Sequence, residues 1–245
     1  MFDSLELSKP VARYVADVLR EKDRDLYLCS LFAPVHARNA IMALYAFNAE
    51  ITITRKSFDE PMVRQIRLKW WFDALAGVFA GAPAHHPVLE LLAEVVPLGL
   101  KRHILEFLIE AEVAKFEDED GIKTRTRWTL LFLQALDILG ARGYKTDKAA
   151  ENAAKAWGAL TKLRQNPENS TDVIADHNMI SAYRAAIPEI TGVAVPALLP
   201  IVLTDIYLER IKCGGYNMGH PIVRRSDPGV MGLLRLWGAV KRRRI

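Results

Sequence analysis

Ala43-Leu-Tyr-Ala-Phe-Asn-Ala-Glu-Ile-Thr-Ile-Thr-Arg-Lys56 reads as a helix, the latter part of a longer one expected from about His36 to Lys56. Outward from it, apolar residues recur at three- and four-residue spacing in most windows, and strand-like alternation is scarce. Ser57-Phe-Asp-Glu-Pro61 breaks this helix, and Pro61 starts another that reaches about Ala80. Towards the N-terminus, Ser8-Lys-Pro10 opens a first helix, with Ser as the cap and Pro in the first turn, running to about Glu21. Tyr27-Leu-Cys-Ser-Leu-Phe-Ala33 is a short apolar run stopped by Pro34. Downstream, Gly81-Ala-Pro-Ala-His-His-Pro87 is a loop by its Gly and Pro content. Further helices are expected over about 88–94, 99–116, 126–139, 148–163, 172–186 and 195–212. An acidic turn, Glu117-Asp-Glu-Asp-Gly121, and a polar break, Asn166-Pro-Glu-Asn-Ser-Thr171, separate some of them. Gly214-Gly215 and Pro221 mark a loop, and Pro228-Gly229 leads into the last helix. No internal repeat, low-complexity linker or composition shift divides the chain. The expectation is an all-α protein, one helical bundle over residues 1–245.

Composition fits that class. Of 245 residues, 51% are apolar and 25% charged, enough to bury a sizeable core without staples. Two cysteines, Cys29 and Cys213, are too few for a disulfide framework and point to a reducing compartment. No run of eighteen apolar residues is present to span a bilayer. The start Met1-Phe-Asp-Ser-Leu-Glu lacks a basic segment, so the expectation is a chain that is not secreted. The net charge of +4 is unevenly placed: Lys241-Arg-Arg-Arg-Ile245 follows the apolar stretch Met231–Val240. That pattern suits either an anionic membrane surface or a docked helix with a solvated basic end. Sequence-specific nucleic-acid contact is not expected, because no aromatic–basic interleaving or known module is present.

Several segments, taken in order, resemble the squalene/phytoene synthase family. They are Tyr27–Pro34, Ala43–Phe47, Gln65-Ile-Arg-Leu-Lys-Trp-Trp-Phe-Asp-Ala-Leu75 and His86-Pro87-Val88. The resemblance covers most of the chain and implies the isoprenoid-synthase type of helical bundle. In that family the first substrate helix runs Tyr-Ala-Phe-Cys-Arg-x-Val-Asp-Asp-x-x-Asp, and its aspartates hold magnesium against a diphosphate. Here Asn48 follows Tyr45-Ala-Phe47, and Thr52, Ile53 and Lys56 occupy the aspartate positions. The second synthase motif resembles Leu-Arg-Asp-Val-Gly-Glu-Asp, and the matching run is Leu163-Arg-Gln-Asn-Pro-Glu-Asn169. Arg164 and Glu168 agree with it; Gln165 and Asn169 are neutral amides, and Pro167 ends the helix nearby. A narrower branch reads Ala-Phe-Asn-x-Glu in the first motif, as Ala46-Phe-Asn-Ala-Glu50 does. That branch comprises a mitochondrial assembly factor for respiratory complex I and its bacterial relatives. Ile138-Leu-Gly140, Ile206-Tyr-Leu-Glu-Arg-Ile211 and His220-Pro221 also fit it.

Breaking a carbon–diphosphate bond needs the leaving charge neutralised, which magnesium held by carboxylates does. Two aspartates four residues apart share one helical face and can share ions. With that carboxylate chemistry missing from both motifs, the resemblance implies vestigial pocket positions: Asn48, Thr52, Lys56, Arg164, Gln165, Glu168 and Asn169. No catalytic residue, metal ligand or cofactor is expected; Mg2+ enters only if the chain is a working prenyltransferase. Among the other acids, Glu50, Glu106, Glu110, Glu112, Glu117 and Asp118, the four-residue spacing of Glu106 and Glu110 would allow a displaced carboxylate pair; the set is expected to form a solvated acidic face. Asp23 and Asp25 read as a helix-end cluster. The six histidines make no zinc signature, and no phosphate loop or nucleophile elbow is present. Trp70 and Trp71 point about 100° apart on a helix, so at least one is expected in the core.

The functional expectation is a non-catalytic pseudoenzyme acting as an assembly factor for a large complex, with respiratory complex I the one the branch implies. It would have protein partners, could bind an isoprenoid or lipid, and would contact a membrane surface through its basic end. It would act at the matrix face of the mitochondrial inner membrane or in a bacterial cytoplasm. Two alternatives stay open: a prenyltransferase or isoprenoid-diphosphate binder, and an assembly factor or subunit of a ribonucleoprotein.

Overall fold

The structure, a computed structural model, describes residues 9–56, 60–114, 122–225 and 227–245, excluding the side chains at 9, 54–56, 114 and 122–125. The Ser8 cap, the core of the break at 57–59 and the acidic turn at 117–121 lie outside the described residues. Helices dominate, and the β-pairing among the described residues is a single bridge between Thr191 and Arg244. The chain groups into two compact units, Met1–Lys123 and Thr124–Ile245.

The first unit is built around α3. Its helices are α1 (Lys9–Lys22), α2 (Arg24–Leu31), α3 (Val35–Lys56), α4 (Pro61–Ala80), α5 (Pro87–Val95) and α6 (Arg102–Ala114). Every residue from Ala40 to Ala49 is buried, as befits a helix that is apolar on all sides. The other five helices all pack against it. α1 contributes the stripe Val15, Val18 and Leu19, and α5 contributes Val88, Leu89, Leu91, Leu92 and Val95. Asp23 caps α2 by accepting the Leu26 N–H at 3.0 Å, the helix-end role expected of it. Pro61 opens α4, and Gly81 closes it in the left-handed conformation at φ 75°, which glycine adopts without strain. Trp71 is 3% exposed and meets Phe47 edge-on at 5.6 Å, whereas Trp70 is 42% exposed. The two indoles thus divide between core and surface.

The second unit contains α7 (Ile122–Ile138), α8 (Tyr144–Gln165), α9 (Val173–Ala185), α10 (Pro200–Cys213), α11 (Pro221–Arg224) and α12 (Gly229–Arg242). The buried alanines of α8 allow close helix approach, and Asn152 donates to the Ala186 carbonyl at 3.0 Å to fix α9 beside it. α7 meets α8 where Trp128 stands perpendicular to Trp157 at 6.4 Å. The single helix expected over 195–212 is two elements. A 3₁₀ turn, Gly192–Leu198, carries Pro196, and α10 begins at Pro200, whose missing N–H suits a first turn. The expected loop at Pro221 holds the short α11, capped by His220 through Nδ1 on the Ile222 N–H. The chain end is tied back by Ile190 and Ile245, which exchange two backbone hydrogen bonds of 3.1 and 2.9 Å.

Among the described residues no single helix is long and apolar enough to cross a membrane. The 3₁₀ turn and α10 pass that test together only as a pair bent by 50°, and most of their apolar residues are buried.

Candidate functional site

The seven vestigial positions fall in both units. In the first unit, Asn48 is buried on α3 and Thr52 stands one turn further on. The Thr52 hydroxyl donates to the Asn48 carbonyl at 2.7 Å, so its proton is used within the helix. Lys56 is the last residue of α3, and its side chain lies outside the described residues. Tyr45, which opens the motif, is fully buried with no hydrogen bond to its hydroxyl among the described residues. Burial pushes that phenol well above its ordinary range and keeps it neutral.

In the second unit, Arg164 lays its guanidinium over the Tyr207 ring, 3.5 Å from the centroid. Gln165 is the last residue of α8, and Asn166 caps the end. Pro167–Asn169 then form a 3₁₀ turn on which Glu168 and Asn169 are exposed. Gln165 and Asn169 therefore sit on different elements. Asn169 lines a small cavity of about 170 Å³ with Lys162, Asn166, Ser170 and Asp176, where the Ser170 hydroxyl donates to Asp176 at 2.7 Å.

This donor set does not fit a magnesium cluster. Thr52 offers a hydroxyl already engaged, Gln165 and Asn169 offer neutral amides, and Glu168 is the one carboxylate among the seven positions. Magnesium favours carboxylates and phosphate oxygens in octahedral array. Among the described residues no three His, Cys, Asp or Glu side chains gather as metal ligands.

The remaining acids have other engagements. Glu106 accepts from Arg102 at 2.8 Å one helical turn away, and Glu110 is exposed. Glu112 is fully buried on α6, which departs from the solvated face expected of it. Glu50, the acid of the Asn-x-Glu signature, pairs with Lys22 of α1 at 2.8 Å. His86 completes this corner. Its Nδ1 accepts the Val88 N–H at 3.3 Å as the cap of α5, and its ring lies 4.9 Å from Trp71. Burial lowers the His86 pKa from its ordinary value; Lys22 and Arg67 act in the same direction, and Glu50 and Glu90 oppose them. This corner was not foreseen as a unit: Glu50, Trp71 and His86 each fell in a segment that resembles the family, but they are far apart in sequence and nothing in their spacing joins them.

A second surface feature is an open groove of about 480 Å³ in the second unit. Four of its charges are engaged in two pairs. Arg184 grips Asp205 with two bonds of 2.8 and 3.0 Å, and Arg235 meets Glu209 at 2.9 Å. The Ser181 hydroxyl donates to its own helix at the His177 carbonyl, 2.8 Å away, so no nucleophile–base pair is assembled there. Cys29 is buried with its thiol pushed well up by burial, the state of an inert rather than a reactive cysteine.

The sequence profile described as squalene/phytoene synthase matches residues 19–173. Complex I assembly factor 6 of NADH dehydrogenase (ubiquinone) from Bos taurus is 26% identical over 260 aligned residues, covering 88% of this chain and 78% of that protein. The Homo sapiens protein of the same name is 25% identical over 259 residues, covering 87% and 78%. Among solved structures, squalene synthase HpnC from Alicyclobacillus acidocaldarius superposes with a TM-score of 0.68 at 17% identity, covering 85% of this chain and 95% of that one. A dehydrosqualene synthase in complex with ligand gives 0.69 at 13% identity, covering 95% and 96%. These two likenesses are of fold, and the fold they share is the all-α isoprenoid-synthase bundle. With the profile running over well over half its length, from α1 to the first residue of α9, this chain belongs to the squalene/phytoene synthase family.

Proposed function

We propose that this chain is a non-catalytic member of its family and serves as an assembly factor for respiratory complex I. The observation that carries this reading is the similarity to the assembly factor 6 proteins, which runs along 78% of their length rather than over one motif. The donor chemistry supports the loss of catalysis: a hydroxyl and two amides stand where a synthase places magnesium-binding carboxylates. No magnesium or other cofactor is part of this reading. Its partners are proteins of the nascent complex, with an isoprenoid or lipid as a further ligand of the bundle. Its place is mitochondrial, at the matrix face of the inner membrane, or the cytoplasm if the source is bacterial.

The test is genetic and biochemical. Removing the gene should deplete assembled, NADH-oxidising complex I on native gels, and the wild-type chain should restore it. Normal complex I in the deletion strain would overturn the assembly role. The competing prenyltransferase reading is favoured by family membership and by the retained cation Arg164. Purified protein incubated with farnesyl or geranylgeranyl diphosphate and magnesium separates the two: pyrophosphate release above a heat-killed control would establish catalysis.

A further inference from the structure

α12 carries two apolar faces, and its packing in the second unit uses one. Gly232, Leu236 and Ala239 face inward, at spacings of four and three residues. The approach is close: a Cβ on Gly232 would lie 2.4 Å from Pro228 Cβ and 3.3 Å from Ile206 Cδ1. α10 and the 3₁₀ turn at 192–198 receive this face. The second face consists of Val230, Leu233, Leu234 and Trp237, at i, i+3, i+4 and i+7. Their exposures are 73%, 39%, 54% and 53%, so a contiguous apolar strip faces solvent. A helix that only needed to close the unit would carry polar residues there.

Charge identifies the occupant. Residues 229–245 contain five cations, Arg235 and Lys241 to Arg244, and no acid; Arg235 and Arg244 are paired with Glu209 and Glu189, and Lys241, Arg242 and Arg243 supply the excess positive charge. Lys241 sits on the exposed face with its ammonium 4.6 Å from the centre of the Trp237 ring. An indole beside a lysine at the end of an apolar strip is the arrangement that anchors a helix at a bilayer interface, ring among the headgroups and ammonium among lipid phosphates. α12 has 14 residues, about 21 Å at the helical rise, too short to span a hydrocarbon core of about 30 Å. It would lie in the plane of the surface. The end of the helix is held: the Gly192 N–H donates to the Arg243 carbonyl at 2.9 Å, and Arg244 pairs with Glu189. The strip is therefore presented on a fixed frame.

We infer that α12 docks the protein on an anionic phospholipid surface, inserting Val230, Leu233, Leu234 and Trp237 at the headgroup–acyl boundary while the flanking cations contact lipid phosphates. This deepens the membrane-side location proposed above but rests on the surface of α12 alone.

The experiment is sedimentation of the purified full chain with vesicles of phosphatidylcholine and with vesicles containing phosphatidylglycerol. The expected result is partition to the anionic vesicles, weakened by added salt. Leu234→Glu with Trp237→Glu should reduce it at least about tenfold with an unchanged melting temperature, since both side chains are exposed. Lys241→Gln with Arg243→Gln should reduce it roughly 25-fold, about fivefold for each cation. Absence of binding, equal binding to neutral vesicles, or binding untouched by the Leu234 and Trp237 changes would overturn the inference. So would a strip that proves to be a protein interface, seen as wild-type self-association abolished by the same double change while vesicle binding persists. A chain that binds anionic vesicles but fails to restore complex I leaves this inference standing and defeats the assembly role; restoration without vesicle binding does the reverse.

Discussion

Breaking the Lys22–Glu50 pair tests whether the signature acid of α3 is structural. The two groups meet at 2.8 Å with side chains only 22% and 14% exposed. Removing one partner of a fully buried pair costs about 3–5 kcal/mol, because the other charge is left without compensation. A solvent-exposed pair is worth about 0–1 kcal/mol. The residual exposure here places Glu50→Gln between these limits, nearer the buried end, at about 2–3 kcal/mol. For a chain of this size each kcal/mol shifts the melting temperature by roughly 2–4 °C, so the fall should be about 4–12 °C. Replacing both partners together, Lys22→Met with Glu50→Leu, removes both charges and should recover most of the loss. Urea denaturation of wild type, Lys22→Met, Glu50→Leu and the double variant closes the cycle, with Glu50→Gln measured beside it. If Glu50→Gln melts like wild type, or if the two losses simply add, the pair does not hold α1 to α3.

Two other perturbations follow from the same packing. His86 has a lowered pKa, so between about pH 6.5, the ordinary histidine value, and its native value the unfolded state binds the proton first. Stability should be level above that window and decline as pH falls through it, the more so because protonation removes the Nδ1 acceptor that caps α5; His86→Gln should flatten this part of a melting-temperature profile. Gly158→Ala places a Cβ 2.8 Å from Trp128 Cδ1, and overpacking this α7–α8 contact should cost about 1–3 kcal/mol by denaturant unfolding, with no loss if Trp128 can turn aside freely.

The helical class was legible because period is a local property: the spacing of apolar residues fixes a face without reference to the rest of the chain. The α3–α4 break showed through Pro61, and the division of Trp70 from Trp71 followed from the 100° step between neighbours. The start of α10 was not legible, since Pro196 and Pro200 admit either one interrupted helix or a 3₁₀ turn followed by a helix. α11 spans four residues, too few to display a period. At the candidate site the chemistry was readable from residue identity alone: Thr52, Gln165 and Asn169 are not carboxylates in any conformation. Their engagement was not. The partner of Glu50 lies 28 residues away on another helix, and nothing in local spacing points to Lys22. The same limit hid the second face of α12, because composition shows that residues are apolar and only packing shows which are covered.

The loss at the second motif reaches the backbone. In a continuous helix, positions 165 and 169 would share a face, and two acids there could share an ion. Here α8 stops at Gln165, and Asn166 takes φ −135°, outside the helical range. Pro167 has no N–H with which to extend the ladder, and Pro167–Asn169 form a 3₁₀ turn. Gln165→Asp with Asn169→Asp would therefore put carboxylates on two elements with different axes. The first motif lacks its acids too, and its Thr52 hydroxyl is spent on the helix that carries it. Magnesium binding at these positions would demand a rebuilt helix end as well as new side chains. On the non-catalytic reading proposed above, the bundle serves through its surfaces, and α12 is where a surface is apolar: Val230, Leu233, Leu234 and Trp237 are all exposed.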